Sequence, residues 1–185
     1  MDRRTFILSA MAGASLLPHA ARSQEIVDLG WIELLPDAEG RVALPIPLEE
    51  HDEGGNALLI NDGDVPIRED LSGLIVRMVG YVTPIGFAPG SRAMKVDRFL
   101  LAPFTGACVH VPPPPANQLV YGFYEQGIDL ATRLSLDPVM ITGQLTAEKT
   151  NIDVTVAGYQ IAVETMEYVS DERSSNIDRF VFGTN

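Results

Sequence analysis

The sequence is poor in cysteine, histidine and cationic side chains, and each shortage excludes something. One cysteine, Cys108, cannot form an intramolecular disulfide. In an oxidising compartment such a leftover thiol is buried, bound to metal or paired between chains. Lys+Arg number 13 against 25 Asp+Glu, a formal net charge of −12. That balance repels phosphate backbones and anionic membrane surfaces, so it argues against nucleic-acid binding. There is no G-x-S-x-G elbow, phosphate loop, H-E-x-x-H or C-x-x-C. A Ser-His-Asp triad would have to use His51 or His110, and the spacing supports neither.

Long apolar runs are missing too. The most apolar one, Phe6 to Leu17, is too short for a membrane anchor, which needs about 20 residues. It follows Arg3 and Arg4 and precedes small residues, the layout of an export signal. Arg3-Arg4 followed by Thr5-Phe6-Ile7 resembles a twin-arginine signal, which carries folded cargo; an ordinary Sec signal is the alternative. Cleavage after Ala21-Arg22-Ser23 places the mature start at Gln24 and the destination in the periplasm. No cysteine lies near that point, so lipid attachment there is excluded. Removing residues 1–23 leaves 10 Lys+Arg and 24 Asp+Glu, a net charge of −14, and 162 residues. That length suits one domain with a real core.

Residues 24–72 read as an irregular lead-in, rich in Gly, Pro, Asp and Glu. Within it Trp31 is expected as a core anchor. "IREDLSG" reads as one helical turn, with Asp64 as its cap and Gly73 at its end. From residue 73 to 169 the pattern becomes β. "LIVRMVGYVTPIGF", "MKVDRFLLAPF", "ACVHV", "QLVYGFY", "DPVMITGQLT" and "NIDVTVAGYQIAVETMEYV" read as strands, and "EQGIDLATRL" as a short helix. "VRMVGYVTP" and "VMITGQLTA" both carry a glycine in mid-strand, which permits the sharp coiling of a small barrel. The expected fold is therefore mainly β, a small antiparallel barrel of the oligonucleotide/oligosaccharide-binding (OB) kind, with a β-sandwich as the alternative. Residues 170–185 form a polar tail ending in an apolar "FVF".

The segment "TGACVHVPPPPANQ" holds the most chemistry. Cys108 and His110 stand two apart on a predicted strand, so they share a face. That geometry suits a shared transition metal, zinc or copper, or a thiolate–imidazolium pair. A C-x-H is half a metal site, and the remaining ligands would come from His51, Asp97 or a second chain. The third reading is a buried cysteine that packs as a small hydrophobe. Pro112, Pro113, Pro114 and Pro115 fix φ and carry no N–H, so the strand gives way to polyproline II. The rod makes a structural corner, or a ridge for a protein partner with an aromatic-lined groove. Asn117 and Gln118 suit the bonding of backbone groups near the prolines, or contact with a partner. "EEHDEGG" lacks the ligand pattern of a calcium loop and reads as a solvated acidic loop.

The run "VGYVTPIGF…VDRFLLAPFTGACVHVPPPPANQLVY" resembles the bacterial exported proteins grouped as domain of unknown function 3299. The resemblance covers about residues 73–168 and is most specific from Phe99 to Tyr121. It implies an OB-like domain. It also implies a genomic setting beside an ABC-type exporter and among zinc-responsive genes, hence a role in metal or envelope homeostasis. The expectation from all of this is a non-enzymatic periplasmic protein that binds zinc or copper through Cys108 and His110, linked to an ABC-type transporter. The alternative is a docking module that uses the proline ridge, with Cys108 structural. A thiol enzyme or redox protein is the third possibility.

Overall fold

The computed structural model describes residues 25–36, 64–89, 95–104, 114–129, 137–152 and 155–169. Five long strands make the body: β2 (Ile75–Phe87), β3 (Lys95–Ala102), β4 (Val120–Asp129), β5 (Val139–Thr146) and β8 (Tyr159–Tyr168). Three short ones flank them: β1 (Ile26–Asp28), β6 (Thr150–Ile152) and β7 (Thr155–Ala157). The long strands pair in the order β2–β3–β4–β8–β5, and β5 pairs back onto β2, closing a barrel of five strands. Closure rules out the β-sandwich. The connectivity is the Greek key of an OB barrel. The barrel is not wholly antiparallel, because β4 and β8 run parallel from Val120↔Tyr159 to Phe123↔Ala162. A strand that returns to the barrel beside a non-neighbour in sequence can arrive in either direction, and here the crossover from β5 brings β8 in parallel.

Gly80 sits where β2 changes partner. Residues 75–80 pair with β5, and residues 81–87 pair with β3. One strand thus serves two walls of the barrel. A Cβ on Gly80 would lie 2.8 Å from the Ala102 carbonyl oxygen and 2.8 Å from Trp31 Cζ2, so this corner admits only glycine. Gly143, the other mid-strand glycine, lies at an irregularity between β5 and β8, at Thr142/Gly143.

The core runs through the barrel from Val76, Met78 and Val82 to Phe99, Leu101, Val120, Ile141, Tyr159 and Ile161. The segment expected as an irregular lead-in also enters it. β1 pairs parallel with the outer edge of β2, at Ile26↔Ile75. A 3-10 turn, Trp31–Leu34, follows, closed by Glu33 accepting the Gly30 N–H at 2.6 Å. Trp31 and Leu34 are fully buried, and the indole Nε1–H donates to the Val79 carbonyl at 2.7 Å. Trp31 is the core anchor that was expected, and burying each large apolar side chain contributes about 1.5–3 kcal/mol.

Two local expectations need correction. In "IREDLSG" the 3-10 turn is Glu69–Leu71, and Arg68, not Asp64, occupies the cap position, with no side-chain cap bond. Gly73 does end it, at φ 88°. In "EQGIDLATRL" the first five residues continue β4 instead of starting a helix. Ile128 and Asp129 pair with Val96 and Lys95, and sheet pairing overrides a weak helical pattern. Residues 130–136 lie outside the described residues.

Candidate functional site

The connection between β3 and β4 carries the Cys-x-His-x-Pro motif, and its two ends are built firmly. On the β3 side Phe104 is buried. On the β4 side Pro114 is buried and Pro115 exposed. Pro115, at φ −54° and ψ 152°, holds polyproline geometry and opens a 3-10 turn, Ala116–Gln118. Proline suits that place because its fixed φ and missing N–H cost nothing before a turn. The Pro115 carbonyl accepts the Gln118 N–H at 2.8 Å. The Ala116 carbonyl accepts two donors, Leu119 N–H at 3.1 Å and Gly158 N–H at 2.7 Å. The second bond ties the turn to the entry of β8.

Asn117 and Gln118 point inward and are buried. Asn117 Nδ2 donates to the Pro66 carbonyl at 3.2 Å, across 51 positions of sequence. Both residues were candidates for partner contact. Burial removes their side chains from any partner-facing surface of the folded barrel. Asn117 instead bonds a backbone carbonyl, as one reading of the sequence expected, but that of a distant segment and not of the prolines. Its Oδ1 is buried and has no hydrogen-bond partner among the described residues.

Cys108, His110, Pro112, Pro113 and His51 lie outside the described residues. Asp97, the other possible metal ligand, lies in β3 where the strand is irregular between Val96 and Arg98. It is nearly buried, and its Oδ1 accepts Arg98 Nε at 3.3 Å. It stands five positions before Ala102, about 17 Å at the usual rise. The structure therefore sets Asp97 at the far end of β3 from the connection. Among the described residues no three His, Cys, Asp or Glu side chains stand together to hold a metal ion. None of their helices is long and apolar enough to cross a membrane.

Beside the connection lies a polar knot. Tyr159 O–H donates to the Leu34 carbonyl at 2.7 Å and accepts the Arg68 N–H at 2.7 Å. Burial pushes the Tyr159 phenol above its usual range, and the Arg68 N–H bond and charge pull partly back. Arg68 is ion-paired with Asp70, whose carboxyl is held below its ordinary value by that bond. Arg68 Nη1 also donates to the Glu33 carbonyl at 3.1 Å.

The sequence reading missed the β6–β7 hairpin, taking residues 151–169 as one strand. Only Gly158 hinted at the break. The hairpin lies over the outer face of β3 and β4, where Leu100, Ala102, Phe104 and Leu119 form a second apolar cluster with Ala157.

A family model described as a protein of unknown function, DUF3299, matches residues 31–168. The match begins at Trp31, upstream of residue 73, in line with the packing of the lead-in. A crystal structure of a DUF3299 family protein from Pseudomonas aeruginosa PAO1 superposes with a TM-score of 0.67 at 26% identity. The match covers 80% of this chain and 98% of that one. A small single-stranded DNA-binding protein from Streptomyces coelicolor reaches a TM-score of 0.33 at 15% identity, over 55% of this chain and 98% of that one. That likeness is too slight to bear on function. None of the curated proteins matches the chain.

Proposed function

Starting from a chain that belongs to the DUF3299 family, we propose that it is a non-enzymatic binding protein of the bacterial periplasm. The barrel is the scaffold, and the β3–β4 connection is the working part. Cys108 and His110 on that connection take a transition metal, zinc or copper, as a soft thiolate and a borderline imidazole do. The setting is metal or envelope homeostasis beside an ABC-type transporter. One observation carries the reading: the connection is pinned at both ends, by buried Phe104 and by the bonded turn at Ala116–Gln118. Pinning shortens the reach of the eleven residues between, 105–115, lowering the entropy lost when two of them close on an ion.

Metal content by mass spectrometry tests this, on wild type purified from periplasm beside Cys108→Ser. Near-stoichiometric zinc or copper, lost in the variant, is the expected result. Absence of both metals from wild type sinks it.

Exposed Pro115 in polyproline geometry favours a second reading, docking of an envelope partner on the proline ridge. With Pro114, Asn117 and Gln118 buried, the described part of that ridge narrows to Pro115. Pro115→Ala is then expected to lower recovery of a transporter subunit in a pull-down. Unchanged recovery counts against it.

A further inference from the structure

Gly86, Arg98, Phe123 and Ala162 form one row across four strands of the barrel. Gly86 of β2 is the register partner of Arg98 of β3, Arg98 is that of Phe123 of β4, and Phe123 is that of Ala162 of β8. The row lies on the outer face, because the adjoining Phe99 and Ile161 belong to the core. Arg98, Phe123 and Ala162 are exposed.

Two irregularities meet at Arg98 and make a seat for its guanidinium. β3 is irregular between Val96 and Arg98, and β2 is irregular on both sides of Gly86. A Cβ on Gly86 would stand 2.5 Å from Arg98 Nε, 2.7 Å from Cζ and 2.8 Å from Nη2, so the head group occupies the place of a missing side chain. Nearly buried Asp97 accepts Nε at 3.3 Å and fixes one edge of the fork. Nη1 and Nη2 have no partner among the described residues. A long side chain ordinarily loses rotamer freedom when it binds; this one is already held. Ile85 and Phe123, 36% and 46% exposed on the two flanking strands, set apolar surface beside it.

The chemistry of the row restricts its ligand. The Nη1–Nη2 fork matches a carboxylate with two parallel hydrogen bonds. The net charge of −12, and Asp97 on the same guanidinium, disfavour a dianion or a polyanion. β3 is paired on both sides, so it offers no open edge to the main chain of a peptide. The head group leans on β2 and Phe123 stands on β4, two strand spacings or roughly 10 Å apart. We infer that the Gly86–Arg98–Phe123 strip binds a small aliphatic monocarboxylate of about that length, such as octanoate. Its carboxylate pairs with Arg98, and its chain crosses the Arg98 stem to lie against Phe123. Asp97 is then a positioning residue that holds the guanidinium. The inference is independent of any metal at Cys108 and His110.

Titration of the isotope-labelled protein with octanoate, followed by nuclear magnetic resonance, tests the site. The Arg98 Nε–H signal and the Phe123 amide are expected to shift together and to saturate with a Kd of about 1 mM. Octanamide, which keeps the chain and lacks the charge, is expected to bind at least about tenfold more weakly. Arg98→Gln, at an exposed position, is expected to weaken octanoate by a similar factor of about ten. Gly86→Ala keeps the cation but displaces the head group, and is expected to weaken octanoate with an unchanged fold by circular dichroism. Absence of saturable shifts up to about 10 mM octanoate overturns the site. Equal binding of octanamide, or of octanoate by Arg98→Gln, also overturns it, because the contact would then be apolar and unspecific.

Discussion

The phenol of Tyr159 joins two segments that are far apart in sequence. It donates to the Leu34 carbonyl, 125 positions away, and accepts the Arg68 N–H, 91 positions away, both at 2.7 Å. One side chain at the start of β8 thereby fastens the Trp31–Leu34 turn and the approach to β2 onto the barrel. Tyr159→Phe leaves a buried carbonyl and an amide without this partner, and is expected to cost about 1–3 kcal/mol in urea unfolding.

The same variant has a pH signature. The Tyr159 pKa is raised in the folded chain, mainly by burial. A raised pKa means the folded state keeps a proton that the unfolded state releases above about pH 10. Stability from this group is therefore full below that pH and is lost as pH rises toward the folded pKa. Wild type should lose stability between pH 9 and pH 11 more steeply than Tyr159→Phe. Parallel slopes in the two proteins would show that the phenol is not the group responsible.

Trp31 is the one tryptophan and is fully buried, so it reports directly on the docking of the N-terminal turn. Its emission should be blue-shifted and should move red in a single transition that coincides with loss of circular dichroism. Trp31→Phe leaves the Val79 carbonyl without the indole N–H and should cost about 1–3 kcal/mol. Water-like emission from the native protein would mean that the turn does not pack on the barrel.

Gly143 lies where β5 meets β8, and a Cβ there would strike the Ala162 carbonyl oxygen. That oxygen belongs to the backbone and cannot turn aside. Gly143→Ala should therefore part the β5–β8 ladder and cost about 1–3 kcal/mol, as overpacking does. A melting temperature equal to wild type would refute the close approach.

Asp97 already accepts Arg98 and sits at the far end of β3 from the connection. Asp97→Asn should leave zinc or copper content at the wild-type level, while Cys108→Ser lowers it. Equal losses in both variants would bring Asp97 into the site and require the connection to fold back along β3.

Much of the barrel was readable because its physics is local. From Tyr159 to Val163 the expected alternation holds in β8, but past the irregularity opposite Gly143 it shifts: Thr165 is exposed and Met166 packs against the core. "VRMVGYVTP" and "VMITGQLTA" carry their glycines at the coil of β2 and the irregularity of β5. The candidate site was readable only as residue types. Asn117 and Gln118 look equally suited to contact and to burial in a linear chain, and only the packing of the turn decides for burial.

By itself the sequence determined the β periodicity, the glycine positions, the acidity, and the restricted φ of the prolines. These follow from side-chain chemistry and φ restriction within a few residues. Only the tertiary structure decided that β8 returns parallel to β4, that Leu34 joins Trp31 in the core, and that Ile152 and Ala157 pack on the cluster around Leu100. Each of those joins groups tens of residues apart. Local patterning does not encode which distant partner pairs with a strand edge or an apolar face. Closure of the whole barrel, and the desolvation it completes, selects it.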